Sequence, residues 1–116
     1  MVNELTLTFD DGESLSNETV DCTSLDKAIG IFFEAGFNTT NVTFEAVMAD
    51  GKVASVKKLD GSEYEITVTN TIAELFPLDP AVFAGINKFK VRRGTQASPF
   101  TTGAENTKIA ILRRQY

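Results

Sequence analysis

Residues 41–51 read NVTFEAVMADG, and this stretch decides the expected fold class. Apolar side chains recur at every second position, while Thr43 and Glu45 fall between them and are expected to face outward. The predicted inward side chains are Val42, Phe44, Ala46 and Met48. A period of two is typical of a half-buried β-strand, and the closing Asp-Gly dipeptide favours a tight turn. The stretch therefore predicts a strand followed by a hairpin.

The same period recurs on both sides of this strand. Residues 63–69 form the clearest further example, and residues 52–59 predict an edge strand whose Lys57 and Lys58 discourage pairing with other sheets. Other predicted strands lie within residues 2–9, 14–22, 28–33, 71–78, 87–93 and 108–113. We expect an all-β fold with about eight short strands in a single β-sandwich over residues 1–116, of which a jelly roll is one form. Residues 1–24 are either an edge strand or an arm.

One short helical turn is expected near residues 79–85. Asp79 can cap it, and Pro80 suits its first position because the missing N–H costs nothing there. Val82 and Phe83 should then enter the core, and Gly85 should end the turn. In the strand that follows, Phe89 and Val91 are predicted inward, whereas Lys88, Lys90 and Arg92 are predicted outward.

Size and composition fit one folded domain. The chain has 116 residues, 42% of them hydrophobic, with nine Phe and no Trp. A chain of this length can bury a core without metal or disulfides. The single cysteine, Cys22, is expected to be a small core residue. Residues 1–12 lack the features of a secretory signal and no stretch has the apolar length of a membrane span, so we expect folding in a reducing cytoplasm.

Charge is unevenly distributed along the chain. Residues 1–50 hold ten acidic and one basic residue, whereas residues 51–116 hold six acidic and ten basic residues. The asymmetry predicts a basic surface that contacts a partner, and the candidate residues are Lys88, Lys90, Arg92, Arg93, Arg113 and Arg114. The alternative is neutralisation within the domain, with the two segments side by side. Nucleic acid is disfavoured as the partner because the net charge is -5 and Phe89 points away from the lysines.

Catalytic and metal-binding patterns are missing from the sequence. There is no histidine, and no phosphate loop, zinc spacing or nucleophile elbow. Asp10, Asp11 and Glu13 lack the ordered spacing of a calcium loop. Glu63 and Glu65 are spaced as on the exposed face of a strand. We therefore predict a protein that is not an enzyme and uses no cofactor or metal.

Four segments together resemble small structural proteins of tailed bacteriophages. They are AGFNTTNVTFEAVMADG (35–51), LDGSEYEITVT (59–69), LDPAVFAGINKFKVRRGT (78–95) and TKIAILRR (107–114). The resemblance covers about residues 35–114 and is carried by structural motifs. The matching residues are Asp79, Pro80, Phe83, Ala84 and Gly85 at the corner, then Lys90, Val91, Arg92, Gly94 and Thr95. Arg93 departs from the pattern, which has a small polar residue there.

The resemblance implies a capsid decoration or cement protein. Such a protein would be made in the bacterial host cytoplasm and would sit on the capsid surface of the virion. It would bind the major capsid protein and copies of itself, with a trimer favoured, and would contact no membrane. A tail or head-to-tail joining subunit is one alternative. A β-sandwich carbohydrate-binding module is another, although Tyr64 and Tyr116 are the only tyrosines and Trp is absent.

Overall fold

A computed structural model describes residues 2–22, 26–83, 85–101, 103–104 and 106–115. In this part of the chain, nine strands form two antiparallel sheets, and one short helix, α1, spans Pro80–Phe83. The strands are β1 Val2–Phe9, β2 Val20–Asp21, β3 Asp26–Phe33, β4 Asn41–Val47, β5 Val53–Ser55, β6 Ile66–Thr67, β7 Glu74–Pro77, β8 Lys88–Arg93 and β9 Asn106–Gln115. The predicted all-β sandwich is confirmed. No helix in the described residues is long and apolar enough to cross a bilayer.

The pairing of the strands is that of a jelly roll. β1 pairs with β9, β2 with β8, β3 with β7, and β4 with both β5 and β6, so the chain is one long antiparallel hairpin. Rolling this hairpin adds the pairs β3–β9 and β4–β8. Sheet A therefore has the order β1-β9-β3-β7, and sheet B has the order β2-β8-β4-β5 with β6 also beside β4. Two packed sheets of this kind define the jelly-roll architecture.

The core between the sheets follows the period of two. Val42, Phe44 and Ala46 of β4 are buried as predicted. Met48 was expected to face inward, but its side chain lies beyond the end of β4 and is 45% exposed. Thr43 lies on the outer face of sheet B, as expected, but it is fully buried there. Its hydroxyl donates to the carbonyl of Gly94, 2.8 Å away, which satisfies the buried polar group.

The predicted helical turn closes one side of the core. Asp79 Oδ1 accepts a hydrogen bond from the Ala81 N–H at 2.9 Å, so Asp79 is the expected cap. Phe83 is buried and meets Phe44 edge-on, with ring centroids 5.1 Å apart. The ring of Tyr64 lies 5.3 Å from that of Phe83. Ala84, part of the corner in the resemblance, lies outside the described residues.

Two of the predicted strands differ from expectation. Only Ile66 and Thr67 of residues 63–69 are paired as a strand, although Ile66 and Val68 do face inward. Residues 52–59 contribute the three-residue edge strand β5 before the chain turns again. Gly51 and Gly61 take φ values of 90° in the two turns, as the Asp-Gly dipeptides require. Of residues 1–24, the part forming β1 is an edge strand of sheet A.

Candidate partner-contact surface

Arg92, one of the predicted contact residues, is buried on the outer face of sheet B. Its side chain is 7% exposed, and its guanidinium forms ion pairs with Glu45 at 3.2 Å and Glu63 at 3.3 Å. It also donates to the hydroxyls of Thr43 and Ser55 at 3.4 Å. We name Thr43, Glu45, Ser55, Glu63 and Arg92 the Arg92 cluster. Arg92 does lie on the outer face of the sheet, as the alternation predicts, but it is not exposed there because a segment outside the regular strands covers it.

The Arg92 cluster supports the alternative of neutralisation within the domain. Glu45 belongs to the acidic half of the sequence, and Arg92 belongs to the basic half. β4 and β8 are neighbours in sheet B, and the pairing places Thr43 directly opposite Arg92. Glu63 Oε2, the oxygen that pairs with Arg92, also accepts a hydrogen bond from the N–H of Gln96 at 3.1 Å. The cluster thus holds the segment after β8 against the sheet, and the charges of Arg92, Glu45 and Glu63 stabilise the fold.

Arg93 is fully buried at the end of the sandwich where several loops meet. Its guanidinium donates to the backbone carbonyls of Asp10 at 3.1 Å, Glu13 at 3.1 Å and Ala104 at 2.7 Å. It also donates to Asn38 Oδ1 at 3.2 Å. The strand alternation that turns Phe89 and Val91 inward turns Arg93 inward as well. That signal was present in the sequence, but the positive charge favoured a surface position.

Two aromatic rings enclose the guanidinium of Arg93. The centroid of the Phe9 ring lies 4.8 Å from its central carbon, and that of Phe100 lies 5.7 Å away. Burial lowers the pKa of Arg93 below its ordinary value, while the nearby charge of Asp11 acts in the opposite direction. Because arginine stays ionised far above neutral pH, this is a buried cation held by carbonyl oxygens and aromatic faces. It fastens three loops together.

The remaining predicted contact residues do not form one surface. Lys88 and Lys90 lie on the outer face of sheet B, with Lys88 exposed and Lys90 half-buried. Arg113 lies near the sandwich edge, where it donates to Asn3 Oδ1 and to the carbonyl of Asp21, both at 3.1 Å. Arg114 is exposed on the outer face of sheet A. A contact role stays a prediction for these four residues, whereas Arg92 and Arg93 have almost no surface to offer.

The outer face of sheet A carries an apolar strip that the sequence analysis missed. Leu75 and Pro77 of β7 lie opposite Phe32 and Gly30 of β3 in the sheet register, so their side chains share the outer face. Leu75 is 60% exposed. Ile29, Leu75, Pro77 and Leu112 help to line a shallow depression of about 240 Å³. We name Ile29, Phe32, Leu75, Pro77 and Leu112 the apolar strip. The sequence does carry a signal for it, because Ile29 and Phe32, which lie between the buried residues Ala28, Ile31 and Phe33, are also apolar.

Gly30 shapes the floor of this depression. A Cβ added at Gly30 would lie 3.3 Å from Leu112 Cδ1 and 3.4 Å from the carbonyl oxygen of Phe76. The distance to Leu112 is tighter than most Cβ contacts, so the absence of a side chain at Gly30 lets the Leu112 side chain pack closely over β3. The strip therefore has a recessed centre.

Basic residues flank the apolar strip. Lys27 is the direct cross-strand partner of Arg114, and both lie at one end of sheet A. Lys108 lies toward the other end, and its Nζ donates to the carbonyl of Ala35 at 3.4 Å. An apolar centre with a charged rim is the usual arrangement of a protein–protein interface. The outer face of sheet A is therefore the best candidate contact surface.

Other candidate sites have structural explanations. Cys22 is buried, as expected of a core residue. Tyr64 packs against the core, and its hydroxyl accepts from the N–H of Asp79 at 3.2 Å, so its ring is no open platform for a sugar. Tyr116 lies outside the described residues. Within the described residues, no group of three or more potential metal-binding side chains is found.

No family model, curated protein or solved structure matches this chain. The resemblance to phage structural proteins therefore rests on the sequence motifs alone.

Proposed function

We propose that this protein is a non-enzymatic assembly protein that binds a larger protein particle through the outer face of sheet A. The observation that carries the proposal is the apolar strip with its rim of Lys27, Lys108 and Arg114. Contiguous exposed apolar patches with polar borders commonly mark sites where a protein binds a partner. The basic rim favours a partner surface with carboxylates around an apolar centre.

The specific form we propose is a capsid decoration or cement protein on the surface of a phage virion. The motif resemblance over residues 35–114 supports this form. The jelly-roll fold does not distinguish a capsid protein from a carbohydrate-binding protein, because viral capsid and lectin domains both use it. Repetition over many copies on a particle would allow each contact to be modest.

A tail or head-to-tail joining subunit is the second candidate, since it would use the same kind of contact. Copy number separates the two, because a shell carries many equivalent sites. The carbohydrate-binding alternative has less support, because the ring of Tyr64 packs against the core.

Co-sedimentation with particles tests the contact surface. Leu75→Glu places a charge within the apolar strip, and substitution of a hot-spot residue in an interface costs about 2 kcal/mol or more. We expect the affinity for particles of the source phage lacking this protein to fall by about tenfold or more.

Val53→Glu is the matched control. Val53 is 55% exposed, close to the 60% of Leu75, but it lies in β5 at the edge of sheet B. This variant should bind as the wild type does. Equal losses in both variants, or none in Leu75→Glu, would remove sheet A from the contact, and absence of wild-type binding would reject the assembly role.

A further inference from the structure

Three of the four sheet edges are poorly suited to pairing with another strand. β2 has two residues and β5 has three, with Lys52 and Lys57 close by. β7 has four residues and ends in Pro77, which lacks an N–H. Short strands, lysines and prolines are the usual means by which proteins block their sheet edges.

β1 is different, because it is eight residues long and its outer edge is open over most of its length. The N–H of Glu34 donates to the carbonyl of Lys108, so the backbone polar groups of Lys108 point toward β3. Because these groups alternate along a strand, the backbone N–H and C=O groups of Ile109 and Ile111 point toward β1. The backbone N–H and C=O groups of their partners, Leu7 and Leu5, point back toward β9. The alternate residues of β1 are Val2, Glu4 and Thr6, and their backbone N–H and C=O groups therefore point away from β9, toward the open edge.

The open part of this edge ends at Thr8. The N–H of Thr8 donates to Glu18 Oε1 at 2.6 Å, and its carbonyl accepts from the N–H of Asn17 at 2.8 Å. Among the described residues, no such hydrogen bonds reach the outward backbone groups of Glu4 and Thr6. The segment around Asn17 thus closes one end of the edge and limits a pairing strand to the region from Val2 to Thr6.

We propose that β1 pairs with β1 of a second copy across a twofold axis, which joins the two copies of sheet A into one continuous sheet. The partner strand is β1 of a second copy, because in the antiparallel direction the outward backbone groups of this edge complement those of an identical edge. An antiparallel strand centred on Glu4 places Val2 opposite Thr6 of the other copy, so all three outward residues can exchange hydrogen bonds. The other edges within the described residues are blocked or too short to offer an equivalent partner.

This register has an electrostatic consequence. Glu4 lies opposite Glu4 of the second copy, and directly opposed like charges weaken a pair of strands. The association is therefore expected to strengthen with added salt. The contact yields a dimer, in place of the trimer that the sequence resemblance favours. It is separate from the apolar strip, which lies toward the opposite edge of sheet A.

Amide hydrogen exchange of the purified full chain, measured by NMR across a concentration series, tests the pairing. The N–H groups of Glu4 and Thr6 should exchange about tenfold or more slowly at concentrations where sedimentation velocity shows a dimer. The N–H of Leu75, on the outer edge of β7, should exchange at the same rate at every concentration.

Two variants test the pairing of β1 through the monomer–dimer equilibrium, measured by sedimentation. Thr6→Pro removes an outward N–H and leaves the hydrogen bonds between β1 and β9 in place, so it should be monomeric with a wild-type circular dichroism spectrum. Glu4→Gln removes the opposed charges and should tighten the dimer by roughly twofold to fivefold. Glu34→Gln, an exposed position away from this edge, should leave the affinity unchanged.

A chain that stays monomeric at about 1 mM would overturn the inference, and so would a dimer in which Glu4 and Thr6 exchange as fast as in the monomer. Protection of these amides only after particles are added would also overturn it, because the occupant would then be a strand of the particle. Particle binding is measured separately, so a monomer that binds particles would leave the proposed function intact.

Discussion

The guanidinium of Arg93 lies between two phenylalanine rings and donates only to neutral oxygens. The carbonyls of Asp10, Glu13 and Ala104 come from two loops. Without Arg93, the Asp10 and Ala104 carbonyls would each keep one other donor, whereas the Glu13 carbonyl would lose the guanidinium that donates to it. Buried polar groups without partners are costly. The fold at this end therefore depends on one residue, where the resembling pattern has a small polar side chain.

Arg93→Met keeps much of the volume and removes every donor. We expect the free energy of unfolding to fall by about 2 to 4 kcal/mol, measured by urea denaturation. Lys88→Met is the control, and as an exposed position it should change stability by less than about 0.5 kcal/mol. Equal effects of the two variants would contradict a structural role for Arg93.

At the scale of elements, the alternation in β4, β8 and β9 allowed their inward residues to be predicted. It could not show what would cover their outer faces. Thr43 and Arg92 are buried because irregular segments bearing Glu63 and Gln96 lie over sheet B, and such segments have no period to detect. The apolar strip was missed for a related reason, since its residues belong to three strands that are far apart in the sequence. β3 and β7 meet in the long hairpin, and Leu112 of β9 joins them when the hairpin rolls up.

The corner formed by α1 is the element whose role is simplest to measure. Phe83 is 3% exposed and contacts the rings of Phe44, Tyr64 and Phe89. Phe83→Ala should lower the free energy of unfolding by about 3 to 5 kcal/mol, because it removes a large buried ring and leaves a cavity. Thermal and urea unfolding would measure it. A loss below about 1 kcal/mol would mean that the corner is peripheral to the core.

At the scale of the whole molecule, the two sheets have different surfaces. The outer face of sheet B is polar where Arg92, Glu45 and Glu63 neutralise one another. The outer face of sheet A has the apolar strip and its basic rim. One edge of sheet A is also open along β1. This asymmetry suits a subunit that lies with one sheet against a larger surface and associates with a second copy at its edge.

The central claim is the proposed role in a phage capsid, and the copy number of this chain in purified virions of a phage that encodes it tests that claim most directly. Quantitative mass spectrometry would count it against the major capsid protein. A decoration role predicts a ratio near one or a simple fraction of it, since every equivalent position on the shell would be occupied. A handful of copies would indicate the tail or neck, and absence from the particle would contradict the proposed function.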